Sequence, residues 1–243
     1  MKLAIAYETP AEYARAKTLS EQLHLPIDTY APQRLVITAN KLMLQIEPFL
    51  PIAPDFNSRT WQKRRDAGKQ QGLFRAVKPY FGMKIIDATA GWGRDAAVLA
   101  SFGAEVLMLE RNPVMAALLA DALSRQDPRS QEILKIKLLA VEAIDYLTTL
   151  SITETPEVIY LDPMHPLRQK EALVKKELQV LQQLLGPDED IQLLITTAKQ
   201  KARRSVVVKW PQHLPAIEKP TRSVFGKTVR FDIYVVGPVL SYI

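Results

Sequence analysis

The sequence predicts an α/β protein: a seven-stranded, mostly parallel sheet with an antiparallel last strand, preceded by a small N-terminal α/β unit. Three observations carry that expectation. From Met83 onward, apolar strand-like runs alternate with helical stretches, the pattern of a parallel sheet covered by helices on both faces. The first of those strands runs into a glycine turn, "DATAGWGRDA" (87–96), that opens a helix. Near the C-terminus, "TRSVFGKTVRFDIYVVG" contains two β-rich runs about Gly226 and Lys227, most simply a closing hairpin.

Residues 2–8, "KLAIAYE", read as a strand. Thr9, Pro10 and Glu12 then form a capping-box start with proline at the first helical position, giving a helix to about Leu25. "QRLVITANKLMLQIEP" holds two β-rich runs around Ala39 and Asn40, so residues 1–55 read as a β-α-β-β subdomain. Residues 56–82 carry a basic, glycine-punctuated stretch with Lys63, Arg64, Arg65 and Lys69, which suits a linker or a binding segment. Residues 83–243 make the main domain. Its strands fall at 84–86, 105–109 and 138–140, followed in turn by helices at 94–102, 113–124 and 143–150. "EVIYLDP" and "SVVVKWP" add a fourth and a fifth strand, and "ALVKKELQVLQQLLG" is an amphipathic helix ended by Gly186.

Composition narrows the classes. A chain of 243 residues with 47% hydrophobic content can bury an ordinary core. A formal charge of +6 and a pI near 9.4 favour a polyanionic partner, or simply keep the protein soluble. With no cysteine there can be no disulfide, thiolate metal site or cysteine nucleophile; no metal is expected, and a reducing compartment fits. The N-terminal apolar run is too brief for a signal-peptide core and no stretch approaches transmembrane length, so the expected place is the cytoplasm, with no membrane partner.

The glycine turn fits two cofactor classes. Gly91 and Gly93 with Ala96 match the G-x-G-x-x-G/A dinucleotide pattern, in which bare backbone N–H groups approach a ligand at a helix N-terminus. Glu110, about 20 residues past Asp87 at the end of the second strand, is placed to accept both hydroxyls of a ribose. A tight strand-to-helix turn with a capping acid would read the same way. Asp87 separates the classes, because a carboxylate there would repel a pyrophosphate but suit the sulfonium and ammonium of S-adenosylmethionine (SAM). Arg94 and Asp95, at the mouth of the helix, could then meet the methionine carboxylate and the cationic end of the donor. Trp92 suits either a pocket wall or an aromatic buried against the next helix, and stays outside the candidate site.

"YLDPMHP" (160–166) is the second diagnostic stretch. The lone pair of a base's exocyclic amine is delocalised into the ring. Two fixed acceptors, the Asp162 carboxylate and the Pro163 carbonyl, could hold that amine with its lone pair toward a methyl donor. A plain Asp-Pro turn is the simpler alternative.

Taken together, "DATAGWGRDAAVLASFGAEVLMLERNPVMAALLADAL", "VIYLDPMHPLRQKEALVKKE", "SVVVKWP" and "GKTVRFDIY" resemble the ribosomal RNA small subunit methyltransferase J family. The resemblance spans about Arg64 to Tyr234, and the N-terminal subdomain matches only in layout. It implies a Rossmann-like, SAM-dependent enzyme that methylates N2 of a guanosine in 16S rRNA of the small ribosomal subunit. Carried over, the SAM contacts fall on Arg94, Asp95, Glu110, Arg111, Glu142, Ala143 and Asp162. Glu142 and Ala143 stand where the family often has small hydroxyl residues, and His165 stands where an aromatic would stack on a flipped base. The implied chemistry is direct methyl transfer, with the amine's proton lost to water or to Asp162.

Lys170, Lys175 and Lys176 after the Asp-Pro loop, Arg203, Arg204 and Lys209 around the fifth strand, and Arg64 and Arg65 are candidate RNA-phosphate contacts, or else solvated faces. Two rival functions stay open on sequence alone: a NAD-dependent dehydrogenase, and an RNA-binding protein that transfers nothing. His24 and His213 sit in no motif that would supply a hydride-site acid or base.

Overall fold

The computed structural model describes residues 3–163 and 190–237. Its frame is a seven-stranded sheet built from β4 (Lys84–Asp87), β5 (Glu105–Leu109), β6 (Lys135–Leu139), β7 (Val158–Leu161), β8 (Ser205–Pro211), β9 (Arg222–Phe225) and β10 (Val229–Val235). The strand order is β6-β5-β4-β7-β8-β10-β9, with every pair parallel from β6 to β8, and β10 antiparallel to both its neighbours. Six strands therefore point one way and β10 alone the other, as the closing hairpin implies. The chain order reverses between β4 and β7, and at such a switch point the loops leave in opposite directions and open a crevice beyond the strand ends.

Period-two alternation divides the sheet residues between two cores. Ile85, Val106, Met108, Val158, Tyr160 and Val207 face one layer, where α2 (Ser58–Asp66), α3 (Gly72–Val77) and α4 (Arg94–Ala100) pack. Ile86, Leu109, Ile159, Leu161, Val206 and Val208 face the other, where α7 (Ala143–Thr149) and α8 (Ile191–Lys201) pack. The strands are hydrophobic on both faces because both faces are covered.

Residues 56–82, expected as a linker or binding segment, fold largely as α2 and α3. The α2 sequence "SRTWQKRRD" is polar almost throughout and is anchored by Trp61, which is buried and donates to the Ser130 hydroxyl at 3.0 Å. Ser130 lies on α6 (Pro128–Ile133), a short helix capped by Asp127. No apolar periodicity announces α2.

The N-terminal residues form a second sheet: β1 (Ala4–Tyr7) parallel to β2 (Gln33–Ile37), itself antiparallel to β3 (Leu42–Ile46), with α1 (Tyr13–Leu23) between β1 and β2. Thr9 and Glu12 close the capping box ahead of α1. This unit packs on α5 (Pro113–Ser124): Leu35, Ile37, Leu44 and Ile46 share a core with Trp92, Val114, Met115 and Leu118. Asp121, buried on α5, accepts from Arg15 of α1, from Arg125 Nε at 2.7 Å and from the Leu42 N–H of β3 at 3.0 Å. No helix among the described residues is long and apolar enough to cross a membrane.

Candidate active site

The glycine turn sits at the switch point because the strand ends hold it there. The Ala88 N–H donates to the Tyr160 carbonyl at 3.0 Å and the Ala90 N–H to the Leu109 carbonyl at 3.2 Å, so the turn bridges β7 and β5. Thr89 ties the two halves of the site together, its hydroxyl accepting from the Asp162 N–H at 2.6 Å. Around this turn lies a cleft of about 590 Å³, counting its open mouth, lined by Ala88, Gly91, Leu109, Glu110, Glu142 and Asp162 among others.

Glu110 is buried at the cleft wall, accepting from the Gly91 N–H at 3.2 Å and the Asn112 N–H at 2.8 Å. Gly91, at φ +53°, lines the cleft, and a Cβ built on it would meet only the Thr89 carbonyl oxygen, at 3.9 Å, so the turn leaves the space above it clear. Glu142 caps α7, its carboxylate accepting from the N–H groups of Ile144 and Asp145, and Ala143 is buried beside it. Arg111 also lines the cleft.

Other candidates are placed differently from the sequence reading. Gly93, at φ +68°, makes room for the chain itself: a Cβ there would collide with the Phe56 ring. Asp95 is not on the cleft wall. It is buried on α4, where its carboxylate accepts from Arg64 at 2.7 Å, from the Tyr160 hydroxyl at 2.6 Å and from Lys209 at 3.1 Å. Arg94 borders a second cavity between α2 and α4, together with Arg64 and Thr60. Trp92 turns away into the core shared with the N-terminal sheet.

The RNA candidates separate in the same way. Arg203 and Arg204 precede β8 and so lie at the opposite end of the strands from Asp162; Arg203 pairs with Glu157 at 2.8 Å and Arg204 donates to the Val77 carbonyl. Lys209, at the site end, pairs with Asp162 at 2.6 Å and with Asp95 at 3.1 Å. Arg65 is half-buried on α2. His165, Lys170, Lys175, Lys176 and the helix expected before Gly186 lie outside the described residues. Pro163 is buried next to Asp162.

Three acids and one lysine thus share the α4 side of the strand ends, and their protonation follows from their surroundings. Burial, with the charge of Asp95 close by, pushes the Asp87 carboxyl up to about 8 against the N–H of Thr89. Burial also opposes the charge on Asp95, but the Lys209 ammonium and the Arg64 guanidinium outweigh it and hold that carboxyl well below the usual range. Burial opposes the charge of Lys209 too, yet Asp95 and Asp162 keep it protonated far above neutral pH. Tyr160, buried and beside Asp95, keeps its proton and serves as a donor. Thr89 and Tyr160 lie inside the two diagnostic motifs, but the motifs alone assign neither a role. Their signal was register: Tyr160 and Asp162 alternate onto one face of β7, and Leu161 pairs with Val208 so that Lys209 stands beside Asp162.

The family model described as "Putative SAM-dependent methyltransferase" matches residues 18–236. The chain is 52% identical over 232 residues to Ribosomal RNA small subunit methyltransferase J of Legionella pneumophila (strain Corby), covering 96% of each. It is 41% identical over 250 residues to the protein of that name from Coxiella burnetii (strain Dugway 5J108-111), covering 97% of this chain and 98% of the relative. A crystal structure of a SAM-dependent methyltransferase from Neisseria gonorrhoeae matches with a TM-score of 0.71 and 29% identity, over 96% of this chain and 95% of that one. A cleft at the switch point, the order of its seven strands and near full-length identity to these relatives lead to one conclusion: the chain belongs to the ribosomal RNA small subunit methyltransferase J family of SAM-dependent methyltransferases.

Proposed function

We propose that the protein methylates the exocyclic N2 amine of a guanosine in 16S rRNA of the small ribosomal subunit, using SAM, in the cytoplasm. The observation that carries this reading is the juxtaposition of Glu110 and Asp162 across one cleft, joined through the Thr89 turn. The residues fit the cofactor: a buried carboxylate at the end of β5 for ribose hydroxyls, a clear space over Gly91, and apolar walls from Ala88, Leu109 and Ala143. SAM, when bound, supplies a methyl group on a positively charged sulfur. Asp162 and the Pro163 carbonyl orient the amine, and the carboxylate stabilises the positive charge that grows on nitrogen. Arg111 and the α7 N-terminus around Glu142 and Ala143 complete the cofactor side, while Asp87 and Asp95 act from behind the cleft wall.

For RNA, the basic residues of α2, Arg64 and Arg65 among them, stand on the segment 56–82 beside the site, and Lys170, Lys175, Lys176 and His165 belong to the same reading. The N-terminal sheet packs on α5 and on Trp92 of the glycine turn. Neither rival function gains a feature from the structure.

The test is transfer of labelled methyl from SAM to small subunits from a strain lacking the enzyme, followed by nucleoside mass spectrometry. N2-methylguanosine is expected in 16S rRNA. Label in another nucleoside, or none, would contradict the reading.

A further inference from the structure

We propose that Lys209 is a positioning residue for methyl transfer, holding the Asp162 carboxylate ionised and in one orientation for the target amine. The inference rests on Asp162 being the amine's acceptor. Parallel pairing of β7 with β8 puts Lys209 next to Asp162, and alternation turns both toward the α4 face, together with Tyr160. There the ammonium reaches Asp162 Oδ2 at 2.6 Å and Asp95 Oδ2 at 3.1 Å. Asp95 is itself held by the Tyr160 hydroxyl at 2.6 Å and Arg64 at 2.7 Å. The result is a charged chain, Arg64 to Asp95 to Lys209 to Asp162, running from the basic helix α2 to the carboxylate at the cleft.

A lone aspartate that is two-fifths exposed has several rotamers, and only some present an oxygen to a base. A cation anchored at its far side by a second, buried carboxylate removes that freedom. Charge balance requires the cation as well. Asp162 faces Asp95 from α4 and Asp87 from the end of β4, while Glu110, Arg111, Glu142 and Asp190 stand around the same cleft. Asp87 is largely protonated at neutral pH, so without Lys209 the like charge beside Asp162 would be that of Asp95, and a like charge raises a carboxyl's proton affinity. The lysine stays protonated at working pH, so its part is electrostatic and geometric, and it does not take up the amine's proton.

The experiment is single-turnover methyl transfer to small subunits by Lys209→Met, Lys209→Gln and Lys209→Arg across a pH series. SAM affinity, RNA affinity and thermal stability are measured on the same preparations. For the Met and Gln variants, transfer should fall by about ten- to a hundredfold at neutral pH. The acid limb of the profile should move up by about 1 to 3 pH units, with SAM and RNA affinities little changed. The Arg variant should recover most of the rate and the original acid limb. If the Met variant does not fold, the Gln and Arg variants carry the comparison, because both keep a polar group in the same space. Wild-type rates in the Gln variant, or an unmoved acid limb, would overturn the proposal. So would a loss confined to RNA affinity, which would make Lys209 a phosphate contact. A double variant with Asp162→Asn should be no slower than Asp162→Asn alone. If Asp162→Asn itself transfers normally, the underlying reading has failed; if it is impaired while the Lys209 variants are not, only this inference has.

Discussion

Glu110 accepts from the N–H groups of Gly91 and Asn112, so one carboxylate both shapes the turn and faces the cleft. Sequence spacing placed it at the strand end but showed only one of these duties. Glu110→Ala should weaken SAM binding by about 1 to 3 kcal/mol, through unpaired ribose hydroxyls, with a smaller loss of stability. Isothermal calorimetry measures this directly. Binding at the wild-type level would leave Glu110 a turn clamp alone. Asp95 and Lys209 show the limit of residue-level reading. As letters, one suits a cofactor's cationic end and the other an RNA phosphate. In three dimensions they neutralise each other, because a buried charge is stable only when paired.

Elements with strong apolar periodicity were legible to the residue: β5, α5 and β8 run as their patterns indicate. The α2 helix was not, since a polar nine-residue helix held by one tryptophan has no stripe to read. β6 shifted for a related reason, its edge position interleaving Lys135 and Lys137 with apolar residues. The helix α6 did leave a signal, Asp127 before Pro128, a cap followed by proline at the first helical position. The packing of α4 on its surroundings yields an element-scale prediction. Gly93→Ala forces an L-residue into φ +68° and drives its Cβ into the Phe56 ring. It should cost about 1 to 3 kcal/mol of stability, read from denaturant unfolding. A neutral effect would mean that Phe56 yields freely and that α4 does not depend on the segment preceding α2.

For the molecule as a whole, charge placement decides more than charge count. The excess of +6 suits a polyanionic partner or mere solubility, and only the fold shows which cations share the cleft's end of the sheet. Arg203 and Arg204 lie at the far end, and Arg203 is already paired with Glu157, so Arg203→Ala should leave RNA affinity unchanged. Arg65→Ala should weaken it and lower the log–log salt slope by about 1, as filter binding over a salt series would show. The reverse ranking would place the RNA on the opposite pole. Whether Asp162 holds the target amine is read from single-turnover transfer to whole small subunits by Asp162→Asn, measured beside its RNA affinity. Asparagine keeps the size and one acceptor but not the charge that stabilises the amine in the transition state. Turnover should fall by roughly a hundredfold or more, about 3 to 4 kcal/mol, at unchanged RNA affinity. Near-normal transfer by the variant would contradict it.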